Sequence, residues 1–324
     1  MRRLPVYVLV AAVVLALVYV RLLNSYWMHV AIIAMFYAIL TASWSLLAGY
    51  AGLFSLGHMA FASVGGYASA LLVLWTGIPV PLGMAAGVAL CCAVGGIIGW
   101  VCLRMSGPYL AIFTLAFSEI VRITFSTEDQ LTAGMGGLHT TPLLESASRL
   151  PYVYTAFGLL AASLAVMGIM VHSRWGLFFR AIREDEQAAA ACGVRVAHFR
   201  ILAFAVASGF AGLAGGFYAH YIGVLTPSLG SLDLMAIVVV MTVLGGMESL
   251  PTAVGGAITV EVLLEYLRAY GQWRLVLVGI LLLVTMRFAR NGLLTPVWQQ
   301  FTRLGEVRAA PPARRGVGQE GSRV

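Results

Sequence analysis

Glu184, Asp185 and Glu186 stand side by side in the one long polar stretch of an otherwise apolar chain, Ser173–Phe199, which reads SRWGLFFRAIREDEQAAAACGVRVAHF. Acids are favourable at a helix N-terminus, and the Ala188–Ala191 run that follows is made of the strongest helix former. Gly193 supplies a C-terminal stop. The pattern predicts a helix of about two to three turns, too short to be stable alone in water and so in need of a surface to dock on. Arg180, Arg183 and Arg195 flank it, holding its base near lipid headgroups and offering charge to a partner. A solvated loop between two helices is the plainer alternative.

Other ionisable residues lie inside apolar runs, where charge is costly and marks a functional candidate. Glu119 and Arg122 are three apart, on one helix face, and can pair. Two readings stand: a structural ion pair facing the bundle interior, or a pair bordering a solute path. Glu261, Glu265 and Arg268 repeat the spacing, with the structural reading favoured. His58 and His220 are lone histidines and read first as hydrogen-bonded packing residues. The stretch Gly49–Gly66, GYAGLFSLGHMAFASVGG, interrupts an apolar region with glycines, serines and His58, as broken or re-entrant helices do where they line a polar route; an ordinary connecting loop is the alternative. No Ser/His/Asp constellation, paired catalytic carboxylates or metal-ligand spacing is visible, so an enzyme is not expected. Cys91, Cys92 and Cys102 share one apolar run and read as small buried hydrophobes.

The elements that carry these residues follow from composition. The 324 residues are 60% hydrophobic and 10% charged, with a mean hydropathy of +0.91. Soluble domains carry about 25% charged residues. Apolar runs of roughly 18 residues or more cross a bilayer, and only helices or closed barrels do so with their backbone groups paired. Continuous runs exclude the barrel. The fold class is therefore an all-α integral membrane protein of about ten spans, over roughly 6–23, 28–48, 58–76, 80–103, 107–125, 151–172, 200–221, 232–246, 251–268 and 272–288. The first follows Arg2 and Arg3; it ends in Arg21 without a small-residue cleavage site, which favours an uncleaved span over a signal peptide.

With both ends cytoplasmic, fifteen arginines fall inside and four outside, a strong positive-inside bias. Three segments result: an N-terminal helix within 1–27, a transmembrane domain over 28–293 with a polar cytoplasmic segment at 174–199, and a basic, disordered cytoplasmic tail at 294–324 that leans on anionic lipid. The pairs Gly83/Gly87, Gly95/Gly99 and Gly212/Gly216 place small residues on one helix face for close packing. The net charge of +7 comes from scattered arginines with no basic stripe, so nucleic-acid binding is not expected. All twenty basic residues are arginine; without lysine the chain has neither a P-loop nor a Schiff-base lysine. If transport here is ATP-driven, another polypeptide binds the nucleotide.

The string RAIREDEQAAAACGV, followed by FAVASGFAGLAGGFYAHYIG, closely resembles the LivM-type permeases of branched-chain amino acid ABC importers. The resemblance runs over roughly residues 28–293 and is carried also by AGYAGLFSLGHMAF (Ala48–Phe61), GPYLAIFTLAFSEIVR (Gly107–Arg122), LTAGMGGL (Leu131–Leu138) and VMTVLGGMESL (Val240–Leu250). It implies the architecture of an ABC importer permease in the bacterial inner membrane. It also implies a cytoplasmic coupling helix seated in an ATPase groove, a role carried onto Arg183, Glu184, Asp185, Glu186, Ala189 and Gly193. The partners it implies are a second related permease, two cytoplasmic ATPases that bind ATP, and a periplasmic or lipid-anchored substrate-binding protein. No cofactor is implied for this chain.

An aliphatic amino acid needs a mostly apolar lining with amides or helix N-termini for its carboxylate. Gly52, Ser55, Gly57, His58 and Phe61, with Glu119 and Arg122, are the expected pathway residues. The chain departs from the family pattern at Gly136, where many members carry asparagine. It departs again at Glu248, where glycine is usual, and at Thr252–Ala253, where Gly-Pro is usual. Urea, short amides and aromatic acids are the alternative cargoes; a gradient-driven carrier or channel and a structural membrane protein are the alternative classes.

Overall fold

The computed structural model describes residues 24–296, apart from 106, 147, 272 and 289–291. The span expected over 6–23 and the tail from 297 onward lie outside the described residues. Among the described residues, seven helical stretches are long and apolar enough to cross a membrane. They are built on α1 (Ser25–Trp44), α2 (His58–Thr76), α3 (Val80–Val101), α4 (Pro108–Thr127), α5 (Leu150–His172), α8 (Val196–Ile222) and α10 (Leu250–Tyr266). Two shorter apolar helices, α9 (Leu232–Gly245) and α11 (Trp273–Phe288), pack with them. Every expected span from 28–48 onward coincides with one of these helices. Two polar helices, α6 (Arg174–Glu184) and α7 (Glu186–Ala191), link α5 to α8, and a small antiparallel pair, β1 (Leu138–His139) with β2 (Val224–Leu225), closes one end.

The helix that sits deepest is α1. Of the stretch containing α1, 89% is buried, and it packs against α5, α8, α9 and α10. The helix α8 lies against α2 and α3 through small residues. A Cβ at Gly87 would meet the Gly65 carbonyl oxygen at 2.7 Å, and one at Gly212 would meet Cys91 Cβ at 2.8 Å. These glycines let backbones approach as dispersion-driven packing in lipid requires. Cys91 and Cys92 fill the grooves over Gly212 and Gly209. By contrast only 17% of the α4 stretch is buried, so α4 lies on the outside of the bundle.

Hydrogen bonds sort the connections into two ends. Arg149 Nη1 donates to the Ser25 carbonyl oxygen at 2.8 Å, and Thr140 N donates to Gly223 O at 2.9 Å, gathering 24–29, 128–149 and 223–231. At the opposite end Arg183 donates to the Gly49 carbonyl oxygen, Arg200 to the carbonyls after α3, and Leu293 N to Leu244 O at 2.8 Å. Among the described residues, Arg104, Arg174, Arg180, Arg183, Arg195, Arg200 and Arg287 stand toward this second end, against Arg149, Arg268 and Arg274 toward the first, with Arg122 within α4.

Close packing of α8 predicts an asymmetric response to added methyl groups. Gly212→Leu is expected to destabilise the purified protein by at least about 1–3 kcal/mol. Gly158→Ala on α5, where a Cβ meets nothing within 4 Å, is expected to leave thermal unfolding in detergent unchanged or slightly raised. Equal losses at both positions would contradict the packing described.

Candidate functional site

The deepest helix does not end cleanly. After Trp44 it widens into a π-helical turn, Ser45–Tyr50, and residues 51–57 are not helical before α2 begins at His58. Non-helical backbone at membrane depth is tolerated only when its polar groups find partners. Here they do. Ala51 N and Leu53 N bond back to Leu46 O and Leu47 O, Trp44 Nε1 donates to Ser55 O at 2.7 Å, and Leu56 N donates to Thr114 Oγ1 of α4 at 2.9 Å. Gly57 N is taken by Ser55 Oγ at 3.2 Å. The interruption is thus a built segment, fastened on one side to α4.

Its other side is fastened to the polar elbow. Gly52 has φ +71°, and a Cβ there would meet Arg183 Cγ at 3.0 Å and Cβ at 3.2 Å, so the arginine stem lies directly on the glycine. The Arg183 guanidinium donates to Gly49 O and pairs with Glu248. The Glu248 partner is exposed, so the pair itself contributes little; the carbonyl contact and the stacked stem fix the geometry. Arg180 adds a cation–π contact over Tyr50, at 5.3 Å.

The elbow corrects the expectation of one helix from Glu184 to Gly193. Asp185 interrupts it: its Oδ1 accepts from Gln187 N at 2.9 Å and Ala188 N at 3.0 Å, capping α7. Glu184 therefore ends α6, while Glu186 opens α7, which is only six residues long. Gly193, at φ +83°, closes it as anticipated. Ala189 points into the protein at 5% exposure, whereas Gln187, Ala188 and Ala191 are exposed. The preceding α6 is amphipathic, burying Gly176, Phe179 and Ile182 and exposing Trp175 and Leu177.

The seat of α7 is Arg200, in the second turn of α8 and 5% exposed. It donates to Met105 O at 2.6 Å, to Leu103 O at 3.3 Å, and to both carboxylate oxygens of Glu186 at 3.1 Å. One guanidinium thus caps the carbonyls left open where α3 ends and holds the first residue of α7. From sequence alone Arg200 is one of the fifteen arginines on the inside face. The available signal was its isolation at the head of an apolar run, fourteen positions after Glu186.

The expected pathway residues divide. Gly57, Phe61 and Phe117 meet, with the two phenyl rings 5.3 Å apart, beside Ser55 and Thr114. His58 is fully enclosed and neither ring nitrogen makes a hydrogen bond of good geometry. The other lone histidine, His220, is held by Ser69 Oγ at 2.8 Å and Thr141 O at 2.7 Å, as a packing residue is. Glu119 and Arg122 form the anticipated ion pair, with side chains 34% and 32% exposed rather than turned into the bundle. Thr114, Trp44, Arg200 and the Glu248 contact were not singled out from sequence.

A bundle of apolar helices built around a broken segment tied to its neighbours is a multi-pass membrane protein. The family described as "Branched-chain amino acid transport system / permease component" matches residues 26–286, and the chain belongs to it. It is 29% identical over 320 residues to the high-affinity branched-chain amino acid transport system permease protein LivM of Escherichia coli strain K12, covering 88% of this chain and 74% of that protein. The LivM protein of Salmonella typhimurium strain LT2 is 28% identical over the same shares. Among solved structures, PsaBC from Streptococcus pneumoniae in complex with Fab aligns with 85% of this chain and 93% of that one, at 16% identity and a TM-score of 0.46.

Removing the Arg200 guanidinium exposes how much it holds. Arg200→Met keeps the apolar stem but leaves the α3 carbonyls unbonded, and is expected to lower stability by about 2–3 kcal/mol. Cys102, 1% exposed beside these carbonyls, should then become reactive to maleimide. An unreactive Cys102 with an unchanged unfolding midpoint would contradict the role given to Arg200.

Proposed function

We propose that this chain is the permease subunit of an ATP-binding-cassette importer in the bacterial inner membrane, forming half of the path for branched-chain or other hydrophobic amino acids. The observation that carries the reading is the junction at Arg183: a short polar elbow on the arginine-rich end rests directly on the broken segment of the deepest helix. The excess of arginine at that end supports its cytoplasmic orientation. The chain itself binds no nucleotide in this reading; two cytoplasmic ATPases receive the exposed face of α7 and supply the motion. A periplasmic or lipid-anchored binding protein delivers the solute at the other end. The branched-chain cargo rests on the family and on the two LivM proteins.

The place of the second permease follows from α4. A one-third-exposed Glu119–Arg122 pair facing hydrocarbon would be costly. The outward face of α4 therefore supports a neighbouring permease with the solute path between the two. The same helix holds Thr114 and Phe117 against the broken segment, so the path would border the residues the elbow can move. A gradient-driven carrier would need membrane acids that cycle protons or hold ions; Glu119 and Glu265 are instead each committed to an ion pair with arginine.

The test addresses the exposed face of the elbow. Ala188→Trp leaves the Arg200 seat untouched, because Ala188 is exposed. In proteoliposomes carrying the complete importer, it is expected to cut uptake of L-leucine roughly tenfold or more, equivalent to about 1.4 kcal/mol of lost docking, with normal insertion and continuing ATP hydrolysis. Uptake at the wild-type rate would contradict docking through α7.

A further inference from the structure

The exposed side chains of α4 fall on one stripe. Tyr109, Ile112, Ala116, Ile120 and Ile123 recur at three- and four-residue spacing, and all are exposed. Glu119 lies on the same face, between Ala116 and Ile123. It stands eleven residues from Pro108 and eight from Thr127, so its Cα is about 12 Å from the outer end of the helix. In a hydrocarbon core about 30 Å thick, that is near mid-depth. Charge held there, with a third of the side chain uncovered, needs water or protein opposite it.

The partner of Glu119 is bonded on one edge only. Arg122 Nε donates to Glu119 Oε2 at 3.0 Å and to Oε1 at 3.2 Å, and Nη2 donates to Oε1. Among the described residues no bond comes from Nη1. The second edge of the guanidinium, Nη1 with the remaining Nη2 hydrogen, is therefore open. Such an edge is the fork that takes a carboxylate bidentately. The stem beneath it is packed: a Cβ on Gly230 would meet Arg122 Cβ at 3.7 Å, and Ser118 Oγ donates to Gly230 O at 3.4 Å. The turn Pro227–Gly230 thus lies against the arginine and holds it in place.

We propose that the open edge of Arg122 binds the α-carboxylate of a free aliphatic amino acid in transit. Glu119 is the positioning residue that fixes the other edge, and the solute side chain rests on Ile112, Ala116 and Ile120. This rests on the reading of the outward face of α4 as a border of the solute path. Charge balance favours an amino acid over a simple carboxylic acid. The ion pair is neutral, and a zwitterion carries its own ammonium, so its entry adds no net charge at mid-depth. A simple carboxylate would leave one unbalanced negative charge there.

The complete importer in proteoliposomes tests this. Arg122→Lys keeps the cation for Glu119 but has no second edge. The double change Glu119→Arg with Arg122→Glu keeps an ion pair but reverses it. Both are expected to insert, to co-purify with the second permease and to continue hydrolysing ATP, while L-leucine uptake falls roughly tenfold or more. A purely structural pair would tolerate both changes. Should either fail to insert, a third variant leaves the pair intact: in a Cys192→Ala background, Ala116→Cys should react with a membrane-impermeant thiol reagent. Excess L-leucine with its binding protein should slow that reaction. Wild-type uptake by Arg122→Lys, loss of the second permease from the purified complex, or an unreactive thiol in Ala116→Cys would each overturn the proposal. ATP-driven L-leucine uptake by the unaltered importer tests the importer reading separately, so the two failures are told apart.

Discussion

A helix interrupted inside an apolar bundle must repair every peptide group it frees, because no water is present to do so. In this protein local bonds to Leu46 O, Leu47 O and Ser55 are joined by two partners far away in sequence: Thr114 from α4 on one side and Arg183 from the polar elbow on the other. The break in the deepest helix is therefore bound at once to the outermost helix and to the arginine-rich end. Displacing either attachment strands buried carbonyl or amide groups. The segment is accordingly expected to follow its attachments rather than relax alone.

The elbow is built to act as a stiff element despite its size. A six-residue helix cannot hold itself in water. It is held by an aspartate cap at one end, by a glycine at φ +83° at the other, and from beneath by Arg200, whose donors also finish α3. Close glycine contacts between α2, α3 and α8 extend that stiffness through the bundle. Force delivered to α7 meets a fastened assembly from its seat to the broken segment.

Much of this was legible in the chain. Hydropathy alone places the apolar helices from residue 28 onward, since a lipid-spanning helix carries no competing signal. The polar stretch and its glycine stop were equally plain. The break at Asp185 was not, because three successive acids each qualify as a first-turn residue and only the backbone decides which one caps. Ala189 looked equivalent to its neighbours for the same reason; the inward side of so short a helix is set by what it rests on. The contacts Leu56–Thr114, Arg183–Gly49 and Arg200–Met105 join residues 58, 134 and 95 positions apart, and no local pattern encodes them. Glu248, a departure from the family's usual glycine, gains its meaning only when Arg183 is seen beside it.

Elbow and broken segment are expected to move as one body. Spin labels on the native, exposed Cys192 and on Phe54→Cys, with Cys91, Cys92 and Cys102 replaced by alanine, report it in the assembled transporter. On adding ATP, the distance between positions 192 and 54 should stay constant while that from 54 to a label at Thr76→Cys changes. A 192–54 distance that shifts while 54–76 stays fixed would contradict the account.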